Sequence, residues 1–154
     1  MPKINLDGSE SNFEKNLIPE DTYIAEVTEI SDVTAFPSYE NKSVMEDKII
    51  FTWLVHREGE PSVIIPQFLK NIITKGDGGK YSNSNLYEQL DNAGYMDAFV
   101  AQKDELADDT KFVGWLRKSF IDDKPRFKVM VRTAGKTKQP YTIIDKIIKR
   151  VDKV

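Results

Sequence analysis

The sequence predicts one mainly β domain, built as a small five-stranded barrel with a helix between the third and fourth strands. The chain has 154 residues, which is enough for one domain with a real core and too few for two ordinary ones. Several short segments are rich in β-branched and aromatic residues and are bounded by turn formers, as strands are. A single segment in the middle repeats leucine at helical spacing.

The first strand is predicted at Thr22–Ile30, where apolar and polar residues alternate in the order TYIAEVTEI. Residues 1–16 before it are polar and are expected to form a flexible arm, so that the domain spans 17–154. After the strand, residues 31–47 contain a proline, an asparagine and scattered serines. That density of turn formers favours a long loop.

The second and third strands are predicted on either side of a turn. A continuous apolar run extends from Ile49 to Val55, the turn signal is Glu58-Gly59-Glu60-Pro61, and the segment SVIIPQFL resumes the strand pattern. Pro66 has no amide hydrogen to donate, so the third strand is expected to lie at a sheet edge or to bulge.

The glycine-rich segment TKGDGGKYSNS at residues 74–84 is predicted to be a loop. It is not a P-loop, because Lys80 is followed by Tyr81 and the hydroxyl that binds magnesium is missing. A helix is then predicted from the cap Ser84 through NLYEQLDNA to the stop signal Gly94.

The last third of the chain predicts a second, weaker helix between Tyr95 and Asp109, and its pattern at residues 112–120 fits either a helix or a strand. From residue 125 onward the sequence PRFKVMVRTA alternates apolar residues with mainly cations, and AGKTKQ supplies a hairpin connection. The segment YTIIDKIIKRV is predicted as the last strand, with Tyr141, Ile143 and Ile147 on one face. A short helix over DKIIKRV is the alternative.

Charge is distributed unevenly along the chain, although the net charge is only −3. Through Thr110 there are 9 Lys and Arg against 21 Asp and Glu, a balance of −12, whereas from Lys111 onward 13 against 4 give +9. Cations clustered within an acidic protein form a local surface for anions. The competing interpretation is a solvated strand face whose cations offset acidic neighbours in the fold.

Composition argues against several classes of function. The chain has no cysteine, which excludes disulfides. With His56 as its single histidine, structural zinc and cofactors are also not expected. No apolar run approaches the roughly 18 residues of a spanning helix, and the amino terminus lacks the apolar core of a signal peptide. An intracellular protein that does not contact a membrane is expected.

Catalysis is not expected either. Adjacent acids occur at Glu46-Asp47, Asp108-Asp109 and Asp122-Asp123, and Glu46-x-Lys48 has the local look of a metal-dependent nuclease strand. Two-metal hydrolysis needs further acids that converge on the site, and no spacing in the sequence indicates them.

The predicted order of five strands with a helix after the third is that of the OB-fold. On this layout the segments IPEDTYIAEVTEI, SNLYEQLDNAG and FKVMVRTAGKTKQPYTIIDKI resemble the small OB-fold single-stranded DNA-binding proteins of phages and related viruses. The resemblance spans Leu17 to Ile147 and implies protection of exposed strands in replication or recombination. The chain ends in KRVDKV rather than in an acidic tail, so recruitment of partners by a tail is not implied.

Single strands are bound by cations that follow the phosphates and by aromatic rings on which bases stack. The strand and hairpin that begin at Pro125 carry five cations and one aromatic residue that are candidates for this binding: Arg126, Lys128, Arg132, Lys136, Lys138 and Tyr141. The segment WLRK is expected to add to the same groove: Trp115, Arg117 and Lys118. Three further aromatic residues are candidates for stacking, although each is also explained as core or as a plug of the barrel end: Trp53, Phe36 and Tyr39.

The expected function is therefore sequence-tolerant binding of single-stranded nucleic acid, with DNA favoured, by a protein that is not an enzyme. The main alternative is a viral structural or protein-interaction module whose basic face meets an acidic partner or an acidic part of another copy. A metal-dependent nuclease is the third interpretation. A homo-oligomer is compatible with the sequence. The preference for DNA or RNA, the number of nucleotides bound and the protein partners are not predicted.

Overall fold

The structure, a computed structural model, describes residues 17–38, 40–77, 83–135 and 139–151. It is mainly β, with one six-stranded antiparallel sheet and a helical segment between the fourth and fifth strands. The strands are β1 Thr22–Ile30, β2 Thr34–Pro37, β3 Met45–Arg57, β4 Glu60–Lys70, β5 Phe127–Ala134 and β6 Tyr141–Arg150. The predicted class is confirmed, and β1 has the predicted bounds.

The long strand β3 organises the sheet. One side of β3 pairs with β2 near its start and with β1 further along, while its other side pairs with β4. β1 also pairs with β5, and β5 pairs with β6, so β4 and β6 are the strands at the two ends of the sheet. Pro66 lies in β4, an end strand, as its missing amide hydrogen predicts.

The helical segment consists of α1 Asn85–Ala93, α2 Met96–Ala101 and α3 Asp109–Arg117, with a 3₁₀ turn at Glu105–Ala107 and a π-helical turn at Lys118–Asp122. The predicted caps of α1 are confirmed. Ser84 Oγ accepts a hydrogen bond from the Tyr87 amide, and Gly94 ends the helix in the left-handed conformation with φ +84°. The ambiguous residues 112–120 are thus helical.

A closed five-stranded barrel is not formed, because β4 and β6 do not pair with each other in the described part of the sheet. Helix α1 packs against both strands and buries Leu86, Leu90 and Ala93 there. The apolar side of the helix therefore covers core that a β4–β6 ladder would otherwise cover, and the sheet stays open.

The core lies on one side of the sheet and includes residues of α1 and α3. The strands supply it at every second residue, as in β3, where Ile49, Phe51, Trp53 and Val55 are buried. A buried polar network crosses this core. Trp53 Nε1 donates to Gln67 Oε1 at 2.8 Å, and the side-chain amides of Gln67 and Gln89 hydrogen-bond each other at 2.9 and 3.2 Å.

Two sequence predictions are wrong in detail. The expected long loop after β1 contains the short strand β2, which pairs in register with the start of β3. In β6 the buried residues are Thr142, Ile144 and Ile147 rather than Tyr141, Ile143 and Ile147. The pairing of β5 with β6 shifts at two bulges, so a strict alternation cannot predict which face each residue takes. The alternative carboxy-terminal helix does not occur there.

Within the residues described, no helix has both the length and the apolar character needed to cross a membrane.

Candidate functional site

The outer face of β5 and β6 carries a cluster of cations. Phe127, Val129 and Val131 point into the core, so the residues between them in β5 face outward. We call the cations on this side of the two strands the basic face: Arg126, Lys128, Arg132, Lys146 and Lys149. The outward orientation of the first three agrees with the prediction from sequence alternation, and the last two were not predicted.

Lys128 and Lys149 are direct cross-strand partners at the centre of the basic face. Like charges placed directly opposite each other on neighbouring strands destabilise a sheet. No carboxylate within the described ranges forms an ion pair with either lysine or with Lys146. An anion bound over this pair would relieve the repulsion, and the arrangement therefore favours contact with an anion.

The two arginines of the basic face are ion-paired. Arg126 Nε lies 3.6 Å from Glu26 Oε2, and Arg132 Nε lies 3.2 Å from Asp145 Oδ1. Both arginine side chains are more than half exposed, so water weakens these ion pairs. Each guanidinium keeps further N–H groups that can bond an anion.

A groove lies beside the basic face, between the end strands β4 and β6, with a volume of about 740 Å³. β6 contributes Tyr141 and Lys146, and Arg132 reaches the same groove from β5. β4 contributes Ile64 and Phe68. Volumes of this size are typical of ligand sites. The basic face adjoins the groove, because its members Arg132 and Lys146 also line the groove.

Tyr141 is held in the groove by its contact with the hairpin. Gly135 has φ +67°, and a methyl group added to it would come within 2.8 Å of Tyr141 Cε1 and 2.7 Å of the Gln139 carbonyl oxygen. A glycine is therefore needed here both for the backbone conformation and for the space that the ring and carbonyl occupy. The Tyr141 side chain is 41% exposed and offers ring surface to the groove.

Phe68 is the aromatic residue that the sequence did not single out. It is 52% exposed and lies on the outer side of β4, whereas Ile65, Gln67 and Leu69 of the same strand point inward. Phe36 meets it edge to face, with 5.8 Å between the ring centroids. The alternation within SVIIPQFL could have predicted this exposure, because it places Phe68 on the face of the strand away from the buried residues. Phe36 is half-buried in β2 rather than in a loop, so it supports Phe68.

Trp53 is not available for stacking. It is fully buried, its indole N–H is bonded to Gln67, and its ring meets Phe127 edge to face at 5.8 Å. The proposed role for Trp53 at the surface is therefore wrong, and the core explanation holds. It faces inward because β3 places it in line with Phe51 and Val55, which belong to the same buried row.

The WLRK group lies at the other end of the sheet from Arg132. Trp115 is packed among Tyr95, Phe99 and Phe112, and Arg117 donates to the Ile30 carbonyl and lies 3.0 Å from Asp32. Lys118 is exposed at the start of the π-helical turn.

The distance of this group from Arg132 follows from β1. Arg117 is anchored at Ile30, where β1 ends, whereas Val131, next to Arg132, bonds Asp21 just before β1 begins. Nine residues of extended chain span about 30 Å. Trp115, Arg117 and Lys118 do not line the groove described above, so the structure does not bring them together with Arg132 and Tyr141 there. Tyr39, Lys136 and Lys138 lie outside the described residues.

The acids considered for catalysis do not assemble into a metal site. Nowhere in the described ranges do three or more acidic or histidine side chains come together as metal ligands. Glu46 instead pairs with Lys70 at 3.2 Å. Desolvation would raise the pKa of the Glu46 carboxyl, but hydrogen bonds with Lys70 and Ser38 and the charges of Lys70 and Lys48 outweigh it and lower that pKa.

Comparison with protein-family models, with curated proteins and with solved structures finds no match for this chain.

Proposed function

We propose that this protein binds single-stranded nucleic acid, with DNA as the favoured partner, in a sequence-tolerant manner and without catalysing a reaction on it. The observation that carries the proposal is the opposed pair Lys128 and Lys149, which lies on a face continuous with a groove that holds two exposed aromatic rings. Cations that follow a backbone and rings that accept bases are the two elements of such binding.

The strand order supports an OB-like fold. β1 pairs with both β3 and β5, β4 and β6 flank the open side, and the helical segment follows the third long strand. An OB-fold is a partly open Greek-key barrel of five strands, and here β2 is an additional short strand beside β3. We therefore propose that the open sheet is a variant of that fold whose gap is filled by α1.

The phosphates of the strand are assigned to the basic face. Lys128, Lys146 and Lys149 carry charges that no described acid neutralises within ion-pair distance. Binding a phosphate there releases counterions from the nucleic acid, which makes the affinity dependent on salt. The acidic remainder of the chain limits contact to this face, because it repels the same backbone.

The bases are assigned to the groove. Tyr141 and Phe68 expose ring surface there, and stacking of a base on an aromatic ring contributes about 1–3 kcal/mol. Bases in a duplex are stacked on one another and are not free to enter a groove between two strands. The groove therefore favours single strands over duplexes.

Neutralising the opposed lysines tests the assignment of phosphates. For Lys128→Gln combined with Lys149→Gln we expect weaker binding of a single strand and a salt slope, in log affinity against log salt, lower by about 1.4 because two phosphate contacts are lost. Fluorescence anisotropy of labelled dT30 at several salt concentrations measures both. The fold should survive, since the change removes a repulsion.

Lys103→Gln is the control for loss of a cation, because Lys103 is an exposed cation in the helical segment and does not belong to the basic face. It should leave the salt slope at the wild-type value. A double variant with an unchanged slope contradicts the assignment. Degradation of the oligonucleotide on addition of magnesium would instead indicate the nuclease interpretation.

A further inference from the structure

Helix α1 presents a polar stripe to the groove. Asn85, Glu88, Gln89 and Asn92 all line it, and their spacing of three and four residues places them on one side of the helix. The apolar residues Leu86 and Leu90 take the adjoining side and are buried in the core. The stripe thus faces the same space as Tyr141 and Phe68.

Three members of the stripe have side chains with hydrogen-bonding capacity to spare. The Gln89 amide is engaged with Gln67 at 2.9 and 3.2 Å. In contrast, the side chains of Asn85, Glu88 and Asn92 form no hydrogen bond or ion pair within the described part of the chain. A carboxylate and two amides are therefore directed to the groove rather than to the fold.

These are the side-chain types that read the edges of bases. A carboxylate accepts a hydrogen bond from the amino group of cytosine, and an amide can pair with adenine. Thymine has no amino group. Its N3–H donor lies between two carbonyl oxygens that repel a carboxylate, so thymine is the poorer partner for this side chain. A base whose ring stacks on an aromatic side chain of the groove would have its edge free for contact with the helix.

We propose that the polar stripe of α1 gives the groove a preference for bases that carry an exocyclic amino group, and that Glu88 is the main specificity-determining residue. This inference rests on the proposed function, since it assigns the bases of the same bound strand. Stacking alone is tolerant of sequence. The stripe adds a moderate preference to that tolerance.

Competition between two pyrimidine oligonucleotides tests the inference, because cytosine and thymine differ in this group but have similar size. Affinities of the wild type for dC30 and dT30 are measured by anisotropy at slightly alkaline pH and low salt. We expect dC30 to bind about fivefold more tightly, near the lower limit for a specific base contact. Glu88→Ala should bring the two affinities within about twofold of each other, because the acceptor is lost.

Asp91→Ala is the matched control. Asp91 is an exposed carboxylate of the same helix that does not line the groove. Its removal changes the charge of α1 by the same amount and favours both oligonucleotides equally, so the wild-type preference should persist. Alanine is a good helix former, and neither variant should unfold α1.

The outcomes separate the two proposals. Equal affinity of the wild type for dC30 and dT30, tighter binding of dT30, or a preference that persists in Glu88→Ala overturns the inference and leaves single-strand binding in place. A wild type that binds neither oligonucleotide overturns the proposed function, and the inference with it.

Discussion

At the scale of single residues, the contact between Gly135 and Tyr141 links the hairpin backbone to the proposed groove. Gly135 and Gly59 have nearly the same left-handed conformation, with φ +67° and +72°, but only Gly135 has atoms against the position of a side chain. Alanine at either position introduces similar backbone strain. Alanine at 135 must in addition displace the Tyr141 ring and the Gln139 carbonyl.

Gly135→Ala should therefore weaken binding of dT30 without changing its salt slope, because it affects stacking and not the phosphate contacts. The loss should not exceed the contribution of one stacked base, about 1–3 kcal/mol. Anisotropy titrations of Gly135→Ala, Tyr141→Ala and the double variant form a cycle that measures the coupling. In the Tyr141→Ala background the glycine change should cost little.

Gly59→Ala provides the control for strain, since nothing lies within 4 Å of its added methyl group. It should lower the free energy of unfolding somewhat and leave the affinity unchanged. If Gly59→Ala weakens binding as much as Gly135→Ala, or if the losses in the cycle are additive, the positioning role of Gly135 is refuted.

The orientation of side chains in β5 could be predicted from the sequence, whereas the burial of Trp53 could not. The alternation of β5 correctly predicts that Lys128 and Arg132 face outward, because a two-residue period is a property of one strand. Trp53 could not be assigned in this way, since its partner Gln67 lies on β4 and the amide of Gln89 lies on α1. A large ring that is buried with its N–H satisfied depends on contacts between elements, which no local pattern contains.

At the scale of elements, local signals predicted what local interactions determine. β1 and α1 have the expected positions, and α1 has both predicted caps. The exposed face of β6 was misassigned because two bulges break the alternation. β2 was missed because its pairing with β3 supplies the order that the four residues lack on their own.

The end of the sheet formed by β2, β3 and β4 is joined by a polar contact that depends on pH. The contact with Lys70, the neighbouring Ser38 side chain and the nearby positive charges lower the pKa of Glu46 despite desolvation. A carboxyl whose pKa is lower in the folded state stabilises the protein above its unfolded-state pKa of 4.5, and this contribution is lost as the pH falls through the folded-state value.

Glu46→Gln should therefore lower the free energy of unfolding at about pH 7, and at about pH 3 the difference between the variant and the wild type should be smaller. Urea denaturation at the two pH values measures the difference. Glu40→Gln serves as the control, because Glu40 is exposed and forms no ion pair with any described residue. A deficit of Glu46→Gln that is equally large at both pH values would contradict the account.

At the scale of the whole molecule, the structure assigns the charge asymmetry of the sequence to separate places. The cations of β5 and β6 form one face, while Arg117 is bonded to the fold where β1 ends, at the opposite end of that strand from Arg132. Sequence reasoning joined the two groups because they are close along the chain. Their separation depends on the path of β1, which only the sheet pairing reveals.

The open sheet also depends on how distant elements of the chain pack together. Five long strands and a helix in the predicted order are compatible with a closed barrel. In the structure β4 and β6 form no ladder, and α1 packs against both strands. The groove that results could not be expected from the sequence, because it is lined by β4, α1 and β6, which are distant in the chain.

The most direct test of the central claim is a titration of fluorescein-labelled dT30 with the wild-type protein, followed by anisotropy at low and at moderate salt without magnesium. We expect micromolar or tighter binding that weakens as salt rises, since binding of the phosphates releases counterions. An unlabelled duplex of the same length should compete poorly. Absence of binding at low salt would contradict the account, and the basic face would then require an acidic protein partner as its explanation.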